Sequence, residues 1–194
     1  MRFICRIFNG IKNRIKSCYY RMVLKDMGRS SVIISPLHLD GKENISVGNN
    51  VLIQYKTWLA AKPLTGEPEA TLKIGDGSVI GHLNHIYATR SIIIEDNVLT
   101  ADKVYISDNI HSYKNINIPV LHQPVEQRRD VVIGAGSWLG ENVCVIGARI
   151  GRNCVIGANS VVTKDIPDYC VAVGAPAKVI KRYNEKNREW ENNM

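Results

Sequence analysis

The sequence has few of the features that mark membrane proteins and disulfide-rich proteins. None of its apolar runs approaches the ~20 residues needed to span a bilayer, and Arg6 interrupts the N-terminal stretch FICRIF, which makes it a poor signal peptide. The five cysteines are odd in number and include no CxxC pair, so neither a disulfide framework nor a zinc site is indicated. We therefore predict a cytoplasmic protein with reduced thiols.

Phosphate-binding glycine motifs and phenylalanine are also scarce. The sequence has neither GxGxxG nor a P-loop, so a dinucleotide-binding or NTPase fold is not indicated. It contains two Phe but fifteen Gly among 194 residues, and 45% of its residues are hydrophobic. This balance fits one soluble domain with many tight turns and a core of aliphatic side chains.

The net charge of +7 is unevenly distributed. Residues 1–30 hold eight basic residues and one acidic residue, so the remaining 164 residues carry 17 of each sign and are neutral. A nucleic-acid partner would need a basic surface on the folded domain, and we expect no such partner.

Residues 1–30 are predicted to form a basic, amphipathic helical arm. Its apolar residues recur at helical intervals and are Ile4, Ile7, Phe8, Ile11, Ile15, Cys18, Tyr19 and Met22. Such a helix could lie on the anionic inner face of a membrane, but we favour packing of its apolar stripe on the protein's own domain. At the other end, residues 183–194 are predicted to form a short helix or a polar tail.

A six-residue repeat runs through most of the chain between these ends. Ile150, Ile156 and Val162 are spaced by six, and the spacing recurs upstream as far as residue 47, with Thr100 as a weak position. Three hexads form one coil of 18 residues, which gives about five coils between residues 33 and 166. The pattern predicts a solenoid of short strands on a triangular prism, with aliphatic residues inside and Gly or Asn at the corners. A β-sandwich with Gly-rich turns is the alternative.

The segment VIGANSVVTKDIPDYCVAVGAPAKVIKR (residues 155–182) carries a specific resemblance. It resembles the closing coil and the Gly-x-Pro-Ala-Lys exit turn of the hexapeptide-repeat acyltransferases. Within that family, the chain is most similar to the saccharide O-acetyltransferases of capsule and O-antigen synthesis. The resemblance implies an all-β, left-handed parallel β-helix over residues 31–182 and a homotrimer.

The repeat stops between Asp108 and Val131, where an extended loop of residues 109–130 is predicted. Long loops on regular scaffolds often carry function. The resemblance places the catalytic histidine of the sugar acetyltransferases at the root of this loop, at His111. There it would remove the hydroxyl proton as the acceptor attacks the thioester. Asp108 is a candidate partner for its ring, because Asn109 stands where relatives often have a second histidine.

Three further residues are candidates for acceptor binding. The resemblance suggests Asn84, which occupies an inward position of the repeat, and a corner asparagine satisfied by neighbouring groups is the alternative. His85 follows Asn84 directly, and His122 lies within the extended loop. These two histidines are also the next candidates for the base after His111.

The resemblance implies acetyl-CoA as the donor, bound in a groove between two subunits. The residues that it assigns to the donor site are Trp138, Glu141, Ala158, Thr163, Lys164 and Lys178. Trp138 would line the pantetheine arm, with packing at a corner as the alternative, and Lys164 would meet a phosphate. Glu141 cannot stabilise an oxyanion, so that task would fall to a backbone N–H group.

Together these features predict an acetyl-CoA-dependent O-acetyltransferase that acts on a saccharide hydroxyl in a ternary complex, without a metal and without an acyl-enzyme. The saccharide could be lipid-linked, and an amino sugar, serine or an antibiotic is an alternative acceptor. A carbonic-anhydrase-like metal β-helix is disfavoured, because Ile116 stands five residues after His111, where such proteins have another histidine. A histidine at the root of the loop also argues against a non-catalytic β-helix.

Overall fold

The structure, a computed structural model, describes residues 17–192. They form a β-helix in which each coil contributes one strand to each of three sheets, which we name A, B and C. The chain passes from A to B to C in every coil, and neighbouring coils pair in parallel. The described chain contains six complete coils where the repeat predicted about five. The first coil begins at Asp26, inside the arm predicted for residues 1–30.

The strands of each sheet follow one another along the prism in the order of the coils. Sheet A consists of β1 (Asp26–Met27), β4 (Ile45–Val47), β7 (Thr71–Ile74), β10 (Ser91–Ile94), β15 (Val131–Ile133) and β18 (Arg149–Ile150). Sheet B consists of β2 (Val32–Ile33), β5 (Leu52–Ile53), β8 (Val79–Ile80), β11 (Leu99–Thr100), β16 (Trp138–Leu139), β19 (Val155–Ile156), β21 (Cys170–Val173), β22 (Lys178–Asn184) and β23 (Glu189–Asn192). Sheet C consists of β3 (His38–Asp40), β6 (Trp58–Ala61), β9 (His85–Ala88), β12 (Tyr105–Ser107), β17 (Cys144–Ile146) and β20 (Val161–Val162).

The interior of the prism is filled by aliphatic side chains at the six-residue spacing. In sheet A, Val47, Ile74 and Ile94 are buried and lie in register on successive coils. The weak position Thr100 is buried as well, and its hydroxyl accepts a hydrogen bond from the N–H of Gly81 at 3.0 Å. The predicted inward positions are therefore confirmed at these residues.

A second inward position carries a small hydroxyl residue that joins consecutive coils. Ser78 Oγ donates to the backbone oxygen of Glu95 (2.9 Å) and accepts from the N–H of Val98 (3.0 Å). Ser31 and Ser137 make the same pair of bonds on other coils. These hydroxyls satisfy backbone groups that the short strands leave unpaired at a corner.

Asp and Asn side chains satisfy further N–H groups at the corner between sheets A and B. The N–H of Asn49 donates to Asp76 Oδ1, and the N–H of Asp76 donates to Asp96 Oδ1, both at 2.8 Å. The lack of space at this corner explains why it contains glycines, because a Cβ at Gly48 or Gly75 would overlap the carboxylate of the next coil. Glycine and the capping carboxylate are thus two parts of one arrangement.

Helical residues 17–23 cover the N-terminal end of the prism. Tyr20, together with Leu24 just after the helix, packs into the core. Tyr19 and Met22, which belong to the predicted apolar stripe, are exposed. The packing face therefore differs from the predicted one, and residues 1–16, with the rest of the stripe, lie outside the described residues. Within residues 17–192, no helical segment has the length and apolar content to cross a membrane.

An antiparallel extension of sheet B covers the C-terminal end. Strand β22 pairs with β21, and β23 pairs with β22. Tyr183 and Trp190 pack edge to face across this hairpin. The helix or tail predicted for residues 183–194 is therefore wrong over residues 183–192, because the last coil leaves an unpaired strand edge that the end of the chain covers.

Gly75→Ala tests the argument about space at the corner. The added methyl group would overlap the Asp96 carboxylate and the backbone of Glu95, and we expect the free energy of unfolding to fall by about 3 kcal/mol, as for an overpacked site. Gly66→Ala is the control. Its φ is +86° and no atom lies within 4 Å of the added group, so it should lose only about 1 kcal/mol through backbone conformation. If urea denaturation shows that both variants lose the same free energy of unfolding, lack of space around Gly75 is not the cause.

Acid should destabilise the protein by protonating the corner carboxylates. A donated backbone N–H, from Asn49 and from His82 respectively, is the largest cause that lowers the pKa of Asp76 and of Asp102. Such carboxylates stabilise the fold above their unfolded pKa of about 4, and this stability is lost as the pH falls through the lower folded pKa. We expect a melting temperature that is level from about pH 7 to 5 and falls below about pH 4. Asp76→Asn should show a shallower fall, and a melting temperature that rises on acidification would contradict the prediction.

Candidate active site

The predicted break in the repeat is an antiparallel hairpin that leaves the prism after the fourth coil. Strand β13 (Asn109–His111) pairs with β14 (Val125–Gln127), and His111 lies opposite Val125. The hairpin stands at the corner between sheets C and A. His111 is exposed, and its imidazole has no hydrogen-bond partner within residues 17–192.

Asp108 holds the root of the hairpin and is not free to orient His111. Its buried carboxylate accepts the backbone N–H groups of residues 89–91 at 2.7–2.8 Å and the side-chain amide of Asn109 at 3.0 Å. Burial acts to raise the pKa of this carboxyl, but the donors outweigh it and the pKa lies below the ordinary value. The prediction that Asp108 partners His111 is therefore wrong, because both of its oxygens serve the corner.

Arg90 joins three segments beside this root. Its Nε donates to Asp130 Oδ1 (2.7 Å), its Nη1 to Glu67 Oε1 (3.2 Å) and its Nη2 to the backbone oxygen of Arg128 (3.2 Å). The hairpin is thereby tied to the loop of residues 62–70 at the same corner. Sequence reasoning missed these residues because none of them occupies a phase of the repeat.

The loop between the two hairpin strands is ordered from within by Gln123. Its Nε2 donates to the backbone oxygens of Asn115 (2.9 Å) and Ile118 (2.7 Å), and its Oε1 accepts the N–H of Asn115 (3.1 Å). His122 lies in the 3-10 helix Val120–His122 of this loop and is exposed. Its role in acceptor binding stays a prediction.

A groove of about 460 Å³ lies between the hairpin and the last two coils. Arg128 lines it from the hairpin, and Ile146 and Thr163 line it from the prism. Lys164 follows at the same corner and is exposed. The structure thus brings Thr163 and Lys164, two of the predicted donor residues, to the hairpin that carries His111. A larger groove of about 700 Å³, along the first three coils of sheet A, contains none of the predicted site residues.

Trp138 lies on a different side of the molecule. It is 47% exposed on the outer face of sheet B, between Leu99 and Val155 of the neighbouring coils. In a three-sided prism, sheet B is the face opposite the corner between C and A. Trp138 and His111 of one chain therefore point away from each other.

The other predicted donor residues are exposed but dispersed. Glu141 and Ala158 lie on successive coils at the corner between sheets B and C, where Glu141 pairs with Lys103 at 2.9 Å. Lys178 is the first residue of β22. One chain therefore does not gather the six predicted donor residues into a single groove.

Asn84 points into the prism rather than toward solvent. It is 1% exposed, and its Nδ2 donates to the backbone oxygens of His82 (3.2 Å) and Ala101 (2.9 Å). Its Oδ1 is enclosed and has no partner among the described residues. The contacts correspond to the alternative role of a corner asparagine, and the buried carboxamide does not favour the predicted acceptor contact, which stays a prediction.

His85 is packed within a column of aromatic rings on the outer face of sheet C. Its ring stacks on Trp58 with centroids 4.4 Å apart and meets Tyr105 edge-on at 5.3 Å. Its Nε2 is buried without a partner in the described chain, and burial lowers the pKa of His85. A neutral, enclosed ring is poorly placed to serve as acceptor contact or base. The sequence did not reveal this column, because its members lie 27 and 20 residues apart on different coils.

His82 is a histidine for which sequence reasoning predicted no role. Its Nδ1 lies 3.0 Å from Asp102 Oδ1, and its ring meets Tyr55 at 4.3 Å. Asp102 also accepts the backbone N–H of His82 at 2.8 Å, so the pair belongs to the corner caps. It sits at the corner between sheets B and C, away from the hairpin.

The buried cysteines are unsuited to nucleophilic chemistry. Burial raises the pKa of Cys154 to about 11 and also raises the pKa of Cys170, so both thiols stay protonated at neutral pH. Within residues 17–192, no group of three or more His, Cys, Asp or Glu side chains is close enough to hold a metal ion.

A family model matches part of the repeat, and individual relatives match longer stretches of the chain. The family model described as the hexapeptide repeat of succinyl-transferase matches residues 130–164, which form the fifth and sixth coils. WbbJ of Escherichia coli K12, a putative lipopolysaccharide biosynthesis O-acetyl transferase, is 44% identical over 115 residues, or 55% of this chain and 58% of its own length. The galactoside O-acetyltransferase of the same strain is 34% identical over 134 residues, or 64% of this chain and 63% of its own length. The chain thus spans less than two thirds of either relative.

A solved structure has the same fold. AntD, an N-acyltransferase from Bacillus cereus in complex with dTDP and 3-hydroxybutyryl-CoA, superposes with a TM-score of 0.71 at 20% identity, over 89% of this chain and 90% of that chain. The predicted fold class, a left-handed parallel β-helix, is confirmed. By its coils, its repeat and its relatives, the chain is similar to the hexapeptide-repeat acyltransferases.

Proposed function

We propose that the protein is an acetyl-CoA-dependent O-acetyltransferase that acetylates a saccharide hydroxyl. The observation that carries this proposal is the exposed His111 on an anchored hairpin, beside the groove that Thr163 lines. Two relatives named as O-acetyltransferases, one for lipopolysaccharide biosynthesis and one for galactosides, support a saccharide acceptor. The CoA thioester in the AntD complex supports acetyl-CoA as the donor.

General-base catalysis is the chemistry that we assign to His111. A sugar hydroxyl is too weak an acid to ionise at neutral pH, so its proton has to leave as the oxygen attacks the thioester carbonyl. A neutral imidazole nitrogen accepts that proton and then returns it to the departing CoA thiolate. We propose that the acetyl group passes directly between the substrates, and the protonated thiols of the buried Cys154 and Cys170, which are unsuited to form an acyl-enzyme, support this proposal.

The tetrahedral intermediate also needs a donor for its oxyanion. Glu141, at the predicted donor site, is a carboxylate paired with Lys103 and cannot supply one. A backbone N–H group takes this task, as in other acyl-transfer sites.

We infer that the site forms between chains of a homotrimer. Trp138 and His111 lie on opposite sides of one prism, so a groove that contains both needs a second chain. Both sides carry exposed apolar side chains: Leu99 beside Trp138 on sheet B, and Ile116 and Leu121 on the hairpin. Two different surfaces that pair head to tail form a ring when the rotation between neighbours closes, and the family resemblance implies a ring of three members.

A lipid-linked saccharide would bring the enzyme to the inner face of a membrane. The excess positive charge of residues 1–30 suits an anionic surface. Tyr20 packs against the core, so contact with the membrane would fall to residues 1–16, which lie outside the described residues.

His111→Ala tests the base. We expect kcat to fall by about 10²–10⁴, the usual contribution of general-base catalysis, while the affinity for acetyl-CoA and the oligomeric state are kept because the side chain is exposed. Asn117→Ala, on the same hairpin, should behave like the wild type. Turnover is measured with acetyl-CoA and a panel of saccharides, and a His111→Ala variant that keeps more than about a tenth of wild-type kcat would contradict the assignment. His122, the exposed histidine in the loop of the same hairpin, would then be the next residue to test.

Mixed oligomers test whether the site is shared between chains. Trp138→Ala should raise the KM for acetyl-CoA by up to about tenfold, as expected for loss of an aromatic contact. Co-refolding His111→Ala with Trp138→Ala in equal amounts should restore about one wild-type site in four, because each site takes one residue from each of two chains. The control is His111→Ala mixed with Lys164→Ala. These two residues lie at the same corner of one chain, so no site regains both. Absence of recovery in the first mixture, measured at low acetyl-CoA, would contradict a shared site.

A further inference from the structure

The position of His111 depends on the backbone of the hairpin. Its imidazole has no hydrogen-bond partner within residues 17–192. A general base has to lie within about 3 Å of the oxygen whose proton it removes, and a displacement of about 1 Å can lower the rate about 100-fold. The hairpin itself must therefore be held firmly on the prism.

Two polar side chains hold the root of the hairpin. The fully buried carboxylate of Asp108 receives three backbone N–H donors from residues 89–91 and one side-chain donor from Asn109, and it shares the proton of the Thr89 hydroxyl with Gln127, all at 2.7–3.0 Å. Its backbone oxygen accepts Gln127 Nε2 (2.8 Å) and the N–H of Arg128 (2.7 Å). Residue 108 is thus fixed to the preceding coil through its side chain and to the returning strand through its carbonyl.

Gln127 joins the hairpin to two other segments. It lies on β14, two residues from the position that pairs with His111. Its Nε2 donates to the backbone oxygen of Asp108, and its Oε1 lies 2.7 Å from the hydroxyl of Thr65 and 2.9 Å from that of Thr89. The amide therefore bridges the hairpin, the third coil and the loop of residues 62–70.

We propose that Asp108 and Gln127 are positioning residues that place His111 for acetyl transfer. The inference rests on the function proposed above. A buried carboxylate with four N–H donors resists displacement, because movement would leave a charge and several N–H groups unsatisfied. Since two residues separate Asp108 from His111, displacement at the root is carried along β13 to the imidazole.

The anchor is separable from the stability of the prism. The hairpin strands pair with each other and not with a coil, and Gln123 orders the loop independently. Loosening the root should therefore free the hairpin while the coils stay intact.

Gln127→Glu is the main test, because it keeps the size of the side chain, removes both N–H donors and adds a charge near Asp108. We expect kcat to fall at least about tenfold through displacement of the base, with the KM for acetyl-CoA within about twofold of wild type. Hydrogen exchange by mass spectrometry should show at least about tenfold faster uptake in residues 109–127, and unchanged uptake in the first three coils.

Two further sets of variants control this test. Glu126→Gln, at the adjacent residue, removes the ion pair with Lys114 but keeps an amide oxygen that can accept from Ser112, and it should change neither kcat nor exchange. Thr89→Val removes the hydroxyl that reaches both Asp108 and Gln127 and should lower kcat about threefold, whereas Thr89→Ser should restore it. If Gln127→Glu fails to fold, the comparison of Thr89→Val with Thr89→Ser tests the positioning role instead.

The outcomes separate this inference from the proposed function. Unchanged kcat in Gln127→Glu overturns the positioning role, even where the hairpin exchanges faster. Lower kcat without faster exchange overturns it too, because the effect then reaches His111 by another route. A wild-type protein that transfers no acetyl group overturns the proposed function and this inference with it. Full activity in His111→Ala overturns the assignment of the base, and this inference with it, but leaves acetyl transfer itself standing.

Discussion

Hydrogen bonds between successive coils are the interaction on which this structure depends. The strands of the six coils have two to four residues each, and they pair only with strands of the coils above and below. At the corners, where sheet pairing stops, side chains such as Asp76 and Ser78 take over the same task. The two ends lack a neighbour on one side, which explains why helical residues 17–23 cover one end and an antiparallel extension covers the other.

Hydrogen bonds between coils also anchor the hairpin where it leaves the prism. At the corner between sheets C and A, Asp165 accepts one backbone N–H, that of Arg149, at 2.9 Å. Two coils earlier, at the same corner, Asp108 accepts three backbone N–H groups, and there the chain leaves the prism. The added donors offset the loss of sheet pairing where the hairpin departs. An exposed catalytic group can be held in place in this way without being part of the core.

A three-sided prism also limits what one chain can assemble. Side chains on the outer face of sheet B and those at the opposite corner point apart, so Trp138 cannot meet His111 of its own chain. The outer face of sheet C is covered by rings that stack on one another, with His85 between Trp58 and Tyr105. The faces of these rings are largely occupied by their neighbours. A site that uses both exposed surfaces therefore depends on association between chains.

The six-residue spacing by itself determined the sheets, the inward aliphatic residues and the point at which the hairpin leaves. Each coil of a thin prism has to bury one side chain per face, so the inward positions can be read from residues that are close together in the sequence. The resemblance of residues 155–182 added the family, and with it the candidate role of His111. Only the tertiary structure decided the contacts of Asn84, Asp108 and His85, because their partners lie on other coils, some twenty residues away in sequence. The C-terminal strands form for the same reason, since the open edge that they cover exists only once the last coil has been wound.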